Sequence, residues 1–100
     1  MGHDMRGNLL RAAVVGGGAF GEVHLRTLHG MPQIEIAGVY TLESPRGEEL
    51  AGRYGGRSYA SLEELANDPS VDIVTIATPE FAHLEPFQIL AARGKALYLE

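Results

Sequence analysis

One hundred residues, 45% hydrophobic and 21% charged, make one small domain with its own core and leave no room for a second. Thirteen Asp and Glu against eight Lys and Arg give a net charge of −5, and the basic residues scatter from Arg6 to Lys95 without forming a block, which argues against nucleic acid or anionic membrane as a partner. The absence of cysteine excludes disulfides, thiolate metal sites and cysteine nucleophiles and suits a reducing compartment, with the cytoplasm as the default.

Residues 1–8 are polar and read as a flexible N-terminus, and residues 9–100 as the folded domain. Leu9 to Val15 is an apolar run ending in Gly16-Gly17-Gly18, as a buried strand entering a tight turn would. From Ala19 the period becomes helical, with Phe20, Val23, Thr27 and Leu28 on one face and Gly30 and Pro32 as stop signals. Ile34 to Tyr40 reads as a second strand. Ser44 and Pro45 then read as N-cap and first residue of a helix reaching Tyr54 and closed by Gly55-Gly56, with Gly47 weakening its first turn by ~1 kcal/mol. Arg57 to Tyr59 is at most a short strand, and Ser61-Leu62-Glu63-Glu64 matches a capping box opening a brief helix that ends near Asn67-Asp68-Pro69. Val71 to Ala77 has the β-branched run of a central parallel strand, and a last helix, His83 to Arg93, leads to a final strand, Ala96 to Leu99. Alternating strands and helices joined by short loops predict an α/β, doubly wound, mainly parallel, Rossmann-like sheet, truncated after its fifth strand. The chain stops at Glu100, at the sheet edge where a ligand site should form, as a cut chain would.

Gly16, Gly18 and Gly21 fit G-x-G-x-x-G between a predicted strand and a predicted helix. In that setting Gly16 permits the turn, Gly18 lets a pyrophosphate approach the backbone, Gly21 lets helix pack on strand, and the anion rests on free N–H groups at the helix start. The acidic residue that takes the ribose hydroxyls of NAD belongs about 20 residues further on, where this chain has Thr41. With Arg46 nearby, the site offers a hydroxyl and a cation, which suits the 2′-phosphate of NADP and favours NADP over NAD. Two other readings stand beside this one: Arg46 as a solvated first-turn residue, and Glu43 swinging back to the ribose. Thr78 and Pro79 follow the strand ending at Ala77, on the ligand-binding edge, and His83 lies near a helix start, where it either serves the site or caps the helix. His3, His24 and His29 lack metal-ligand spacing, and no phosphate-loop or hydrolase-elbow motif occurs.

VVGGGAFGEVH, YASLEELANDPSVDIVTIATPEFAH and ARGKALYLE, in this order and spacing, resemble the nucleotide-binding domain of the glucose-fructose oxidoreductase / inositol dehydrogenase (Gfo/Idh/MocA) family from Leu10 to Glu100. The resemblance implies an NAD(P)-dependent oxidoreductase acting on secondary hydroxyls of sugars, inositols or related polyols, with a substrate domain that this chain lacks and oligomers possible in the parent. It places Ala19 and Phe20 at the pyrophosphate, the Phe20 ring under the nicotinamide, and Thr41 and Arg46 at the adenosine ribose. Thr78, Pro79 and His83 line the groove, and Glu100 reaches the nicotinamide ribose. The family's Glu-Lys-Pro breaks off here after its Glu, so no catalytic residue is assigned and the chain alone is expected to be inactive. The alternative is a non-catalytic nucleotide-binding or protein-interaction module of the same fold.

Overall fold

The computed structural model describes residues 9–77, 89 and 96–99; the side chains of Phe20, Ser44 and 96–99 are not described. The expected flexible segment 1–8, and the helix expected over His83 to Arg93 apart from Ile89, lie outside the described residues. Among the described residues no helix is long and apolar enough to cross a membrane.

The elements follow in the order β1 (Leu10–Val15), α1 (Ala19–His29), β2 (Ile34–Tyr40), α2 (Ser44–Tyr54), β3 (Arg57–Ser58), α3 (Leu62–Ala66), β4 (Ile73–Ile76) and β5 (Ala96–Leu99). The strands form one sheet in the order β3-β2-β1-β4-β5, and each neighbouring pair is parallel. Chain order runs outward on one side of β1 and then crosses back to start again on its other side, so β1 is the point at which the winding reverses. A sheet covered on both faces requires strands without a polar side, and β1 meets this with Ala12, Ala13, Val14 and Val15, all at most 2% exposed.

Two cores lie on opposite faces. Ala13 and Val15 join Val74, Ile76, Leu62, Leu65 and Ile89 on the α3 side. Val14 points the other way, to Leu25 of α1 and Leu50 of α2. This alternation with period two is what a doubly wound sheet demands of its central strand.

The structure rotates α1 relative to the face read from its sequence. Val23 is 42% exposed, and the buried positions are Gly21 and Leu25, with Leu28 partly buried against the same core. The reason is at the start of the helix: a Cβ on Gly21 would overlap the Gly16 carbonyl, so the helix lies with Gly21 against the turn, and the stripe continues through positions i+4 and i+7. Gly30 ends α1 in right-handed geometry at φ −81°, donating its N–H to the carbonyls of Arg26 and Thr27, so its stop signal does not use the left-handed conformation.

The N-cap of α2 is Glu43, one residue before the expected Ser44. Gly47, which helix propensity counts as a weakness, is required by packing: a Cβ there would lie 2.6 Å from Ser58 Oγ and 3.1 Å from Thr41 Oγ1. At α3 the Ser61 hydroxyl accepts the Glu64 N–H at 3.0 Å, while the Glu64 carboxylate reaches one residue further back than a standard box, to the Ala60 N–H at 2.7 Å. β4 is shorter than the apolar run that announces it, because the Val71 N–H closes a turn onto the Asp68 carbonyl. Asp72 and Ala77, flanking β4, still donate to the β1 side, to the carbonyls of Arg11 and Val15 at 2.8 Å each.

Leu50→Ala, which empties a fully buried site between α2 and the sheet, is expected to cost about 2–5 kcal/mol. Val23→Ala, on the outward face of α1, should stay within about 0.5 kcal/mol. Urea denaturation of the two variants checks the rotation of α1, which is refuted if Val23→Ala is the costlier change.

Candidate functional site

The crevice of an open parallel sheet opens beyond the carboxyl ends of its strands, where the winding reverses. Here that place is the end of β1, and the glycine turn stands there. Gly16 takes φ +121°, a conformation side chains rarely adopt, and its N–H donates to the Tyr40 carbonyl at 2.9 Å, tying the turn to the end of β2. Gly18 is the N-cap of α1 and has no side chain to satisfy the first N–H groups of the helix. A Cβ built on Gly18 meets nothing within 4 Å. The three glycines therefore have distinct duties: Gly16 turns the chain, Gly21 brings helix onto strand, and Gly18 leaves open space in front of unpaired N–H donors. That is a cradle for an anion, and the positive end of the helix dipole adds to it. Ala19 is exposed at the first helical position, and the backbone of Phe20 lies in the same first turn.

Thr41 and Arg46 converge on the same loop. A Cβ on Gly17 would lie 2.6 Å from Thr41 Cγ2 and 2.9 Å from Arg46 Cγ, so both side chains pack directly on its backbone. Thr41 is 8% exposed, and its hydroxyl donates to the Glu43 carbonyl at 2.5 Å. Arg46 donates from Nε to the Gly17 carbonyl at 2.6 Å, and its two terminal nitrogens reach Glu49 at 3.0 Å and Glu22 at 3.1 Å. Arg46 is therefore not a freely solvated first-turn residue. Thr78, Pro79, His83 and Glu100 lie outside the described residues.

Sequence reading missed Glu22. It follows the glycine motif directly, and its carboxylate gathers Arg46, Arg53 and the Tyr54 hydroxyl, the last at 2.8 Å. Arg53 also pairs with Glu49 at 2.9 Å, closing a ring of two acids and two arginines that joins α1 to α2. The signal available in sequence was the four-residue spacing of Glu49 and Arg53 on one helix face; the link to α1 is tertiary.

The donors around Glu22 hold its carboxyl well below its ordinary value of 4.5, at about 2; the Tyr54 hydroxyl contributes most, then Arg53, with Arg46 adding to them against the opposing effect of burial. Asp68 is also held at about 2: burial pushes it up, and hydrogen bonds from Tyr59 and Ser70 more than offset that.

A parallel sheet wound in this order, with an anion cradle of glycines at its reversal point, defines a Rossmann-type dinucleotide-binding domain. Residues 10–100 match the Gfo/Idh/MocA family, an oxidoreductase family with an NAD-binding Rossmann fold, and the chain belongs to that family. It is 33% identical over 92 residues to a 4-carboxy-2-hydroxymuconate-6-semialdehyde dehydrogenase from a Sphingobium species, covering 91% of this chain and 29% of that protein. It is 37% identical over 76 residues to an inositol 2-dehydrogenase from Pseudarthrobacter chlorophenolicus, covering 74% of this chain and 23% of the relative. Among solved structures, GenD2 from gentamicin A biosynthesis in complex with NAD superposes with a TM-score of 0.88 at 33% identity, over 92% of this chain and 26% of that one. The chain thus spans less than a third of the length of the curated relatives it matches.

The glycine geometry separates binding from folding. Gly18→Val is expected to abolish dinucleotide binding with an unchanged melting temperature, because its side chain enters open space at an ordinary φ of −79°. Gly21→Ala should destabilise the fold by about 1–3 kcal/mol or more, because its methyl overlaps the Gly16 carbonyl. Calorimetric titration and thermal melting of both variants check this; a folded Gly18→Val variant with full affinity shows that the phosphates bind elsewhere.

Because the folded pKa of Glu22 lies below its unfolded value, its ion pairs stabilise the fold above pH 4.5, and that contribution is lost as pH falls towards 2. Glu22→Gln should lower stability at neutral pH and flatten the acid loss between pH 4.5 and 2, with Asp68 supplying part of the remaining slope. Equal pH slopes in parent and variant, from urea melts at stepped pH, contradict this assignment.

Proposed function

We propose that this chain is the dinucleotide-holding part of an oxidoreductase that acts on secondary hydroxyls of sugars, inositols or related polyols, using NADP or NAD. The observation that carries this reading is the cradle itself: open space at Gly18 in front of uncapped helix N–H groups, with Gly16 and Gly21 fixing the turn around it. The cofactor would supply hydride acceptance. The chain's own residues would hold the pyrophosphate on the first turn of α1 and receive the adenosine ribose beside Thr41 and Arg46. The kinship with an inositol 2-dehydrogenase supports the substrate class.

Hydride transfer also needs a bound substrate and a proton acceptor within hydrogen-bond reach. Since the chain matches less than a third of its relatives' length, the 100 residues alone are expected to bind NADH or NADPH and to leave polyols unoxidised. Fluorescence titration with both reduced cofactors tests the first half, and absence of binding to either refutes the reading. Steady-state reduction of NAD or NADP with a polyol panel, above a no-protein control, refutes the second half.

A further inference from the structure

The end of β2 in this chain carries Thr41 where dinucleotide-binding sheets of this type place an acid that takes the ribose. Glu43, two residues on, is the exposed N-cap of α2 and offers Thr41 its backbone carbonyl, while Glu22 and Glu49 pair with Arg46. The guanidinium has five N–H donors, and three contacts engage its three nitrogens: one N–H on the Gly17 carbonyl, one on Glu49 and one on Glu22. Its side chain remains 28% exposed, so these contacts do not seal it from solvent. Any anion that arrives beside Thr41 meets an arginine whose charge two carboxylates already balance. The same ring balances Arg53, so the four charges sum to zero directly behind the anion cradle.

We propose that Glu22, with Glu49 as its auxiliary, is a specificity-determining residue: by competing for Arg46 it sets how strongly the site favours a dinucleotide bearing a 2′-phosphate over one without it. The inference rests on the dinucleotide-binding reading above. Its physical basis is simple. A 2′-phosphate needs the Arg46 guanidinium as its partner and NAD carries no such group, so an acid that occupies Arg46 weakens NADP and scarcely NAD. Glu22 contacts the ribose site only through Arg46, and it acts by holding that guanidinium on the Gly17 carbonyl and screening its charge. Glu22→Gln preserves the shape of the side chain and its ability to accept from Tyr54, while removing the competing charge.

The experiment is a set of calorimetric titrations with NADP and NAD on the parent, Glu22→Gln, Glu49→Gln, the double Gln variant, and Glu22→Gln in an Arg46→Met background. Partly exposed ion pairs of this kind are worth up to about 1 kcal/mol, so each single Gln variant should raise the ratio of NADP to NAD affinity about 2- to 5-fold, and the double variant about 4- to 25-fold. With Arg46→Met in place, Glu22→Gln should leave the ratio unchanged, because the charge then has nothing to compete for. Raising salt should shrink the gain. Equal weakening of both cofactors means that Glu22 only braces the glycine loop, and overturns the proposal. An unchanged ratio, or a gain that persists without Arg46, overturns it too. A parent that binds neither cofactor removes the dinucleotide reading itself, a result distinct from binding without a shift in ratio.

Discussion

The first turn of α1 rests backbone to backbone on the turn that leaves β1, with Gly21 against the Gly16 carbonyl. No side chain fits between them. That single contact sets how α1 rolls on the sheet, and with it which of its residues are buried. It also fixes the direction in which the helix axis points, so the uncapped N–H groups face the crevice at the end of β1. Packing and ligand geometry therefore share one constraint: a change that pushes α1 off the turn would both loosen the Leu25 contact with the core and misdirect the donors that an anion needs.

Much of the architecture was legible because it rests on local chemistry. The β-branched run of β4, the Ser61 cap and the glycine stop after α2 each declare themselves within a few residues. The face of α1 was not legible, since Phe20, Val23, Thr27 and Leu28 form a plausible stripe and only the nearness of Gly16 to Gly21 in space selects a different one. Gly47 misled for the same reason. Propensity counts it as a defect, yet Ser58 and Thr41 leave no room there for a methyl group. At the candidate site, the glycine spacing and the unusual Thr41 were visible in the sequence. The employment of Arg46 was not, because two of its three partners, Gly17 and Glu22, are 29 and 24 residues away along the chain.

The ring of Glu22, Arg46, Glu49 and Arg53 shows how a charge-rich surface can be made quiet. An acid beside an anion site would ordinarily repel the ligand, and an arginine beside it would attract any phosphate. Bound to each other, they leave the cradle to the helix dipole and the backbone donors. The arrangement also links α1 to α2 across the loop, so the two helices on this face share electrostatic as well as apolar contacts.

The pairing of β1 with β2 slips by one residue between Ala12 and Ala13, where Ile36 is followed in register by Gly38. The slip appears in the side chains: Ile34, Ile36 and Val39 face the α1 and α2 side, whereas Ala37 and Tyr40 face the other. Two successive residues thus share a face, and every position beyond them has changed sides. Thr41 follows Val39 in this parity, which is how it comes to lie on Gly17. An uninterrupted ladder would have turned position 41 towards α3. The extra residue works as a half-turn in a screw thread, invisible along its length yet deciding what the tip engages. Anyone grafting a different ribose-recognition residue onto this strand must carry over the bulge along with the side chain, or the graft will point into the wrong half of the domain.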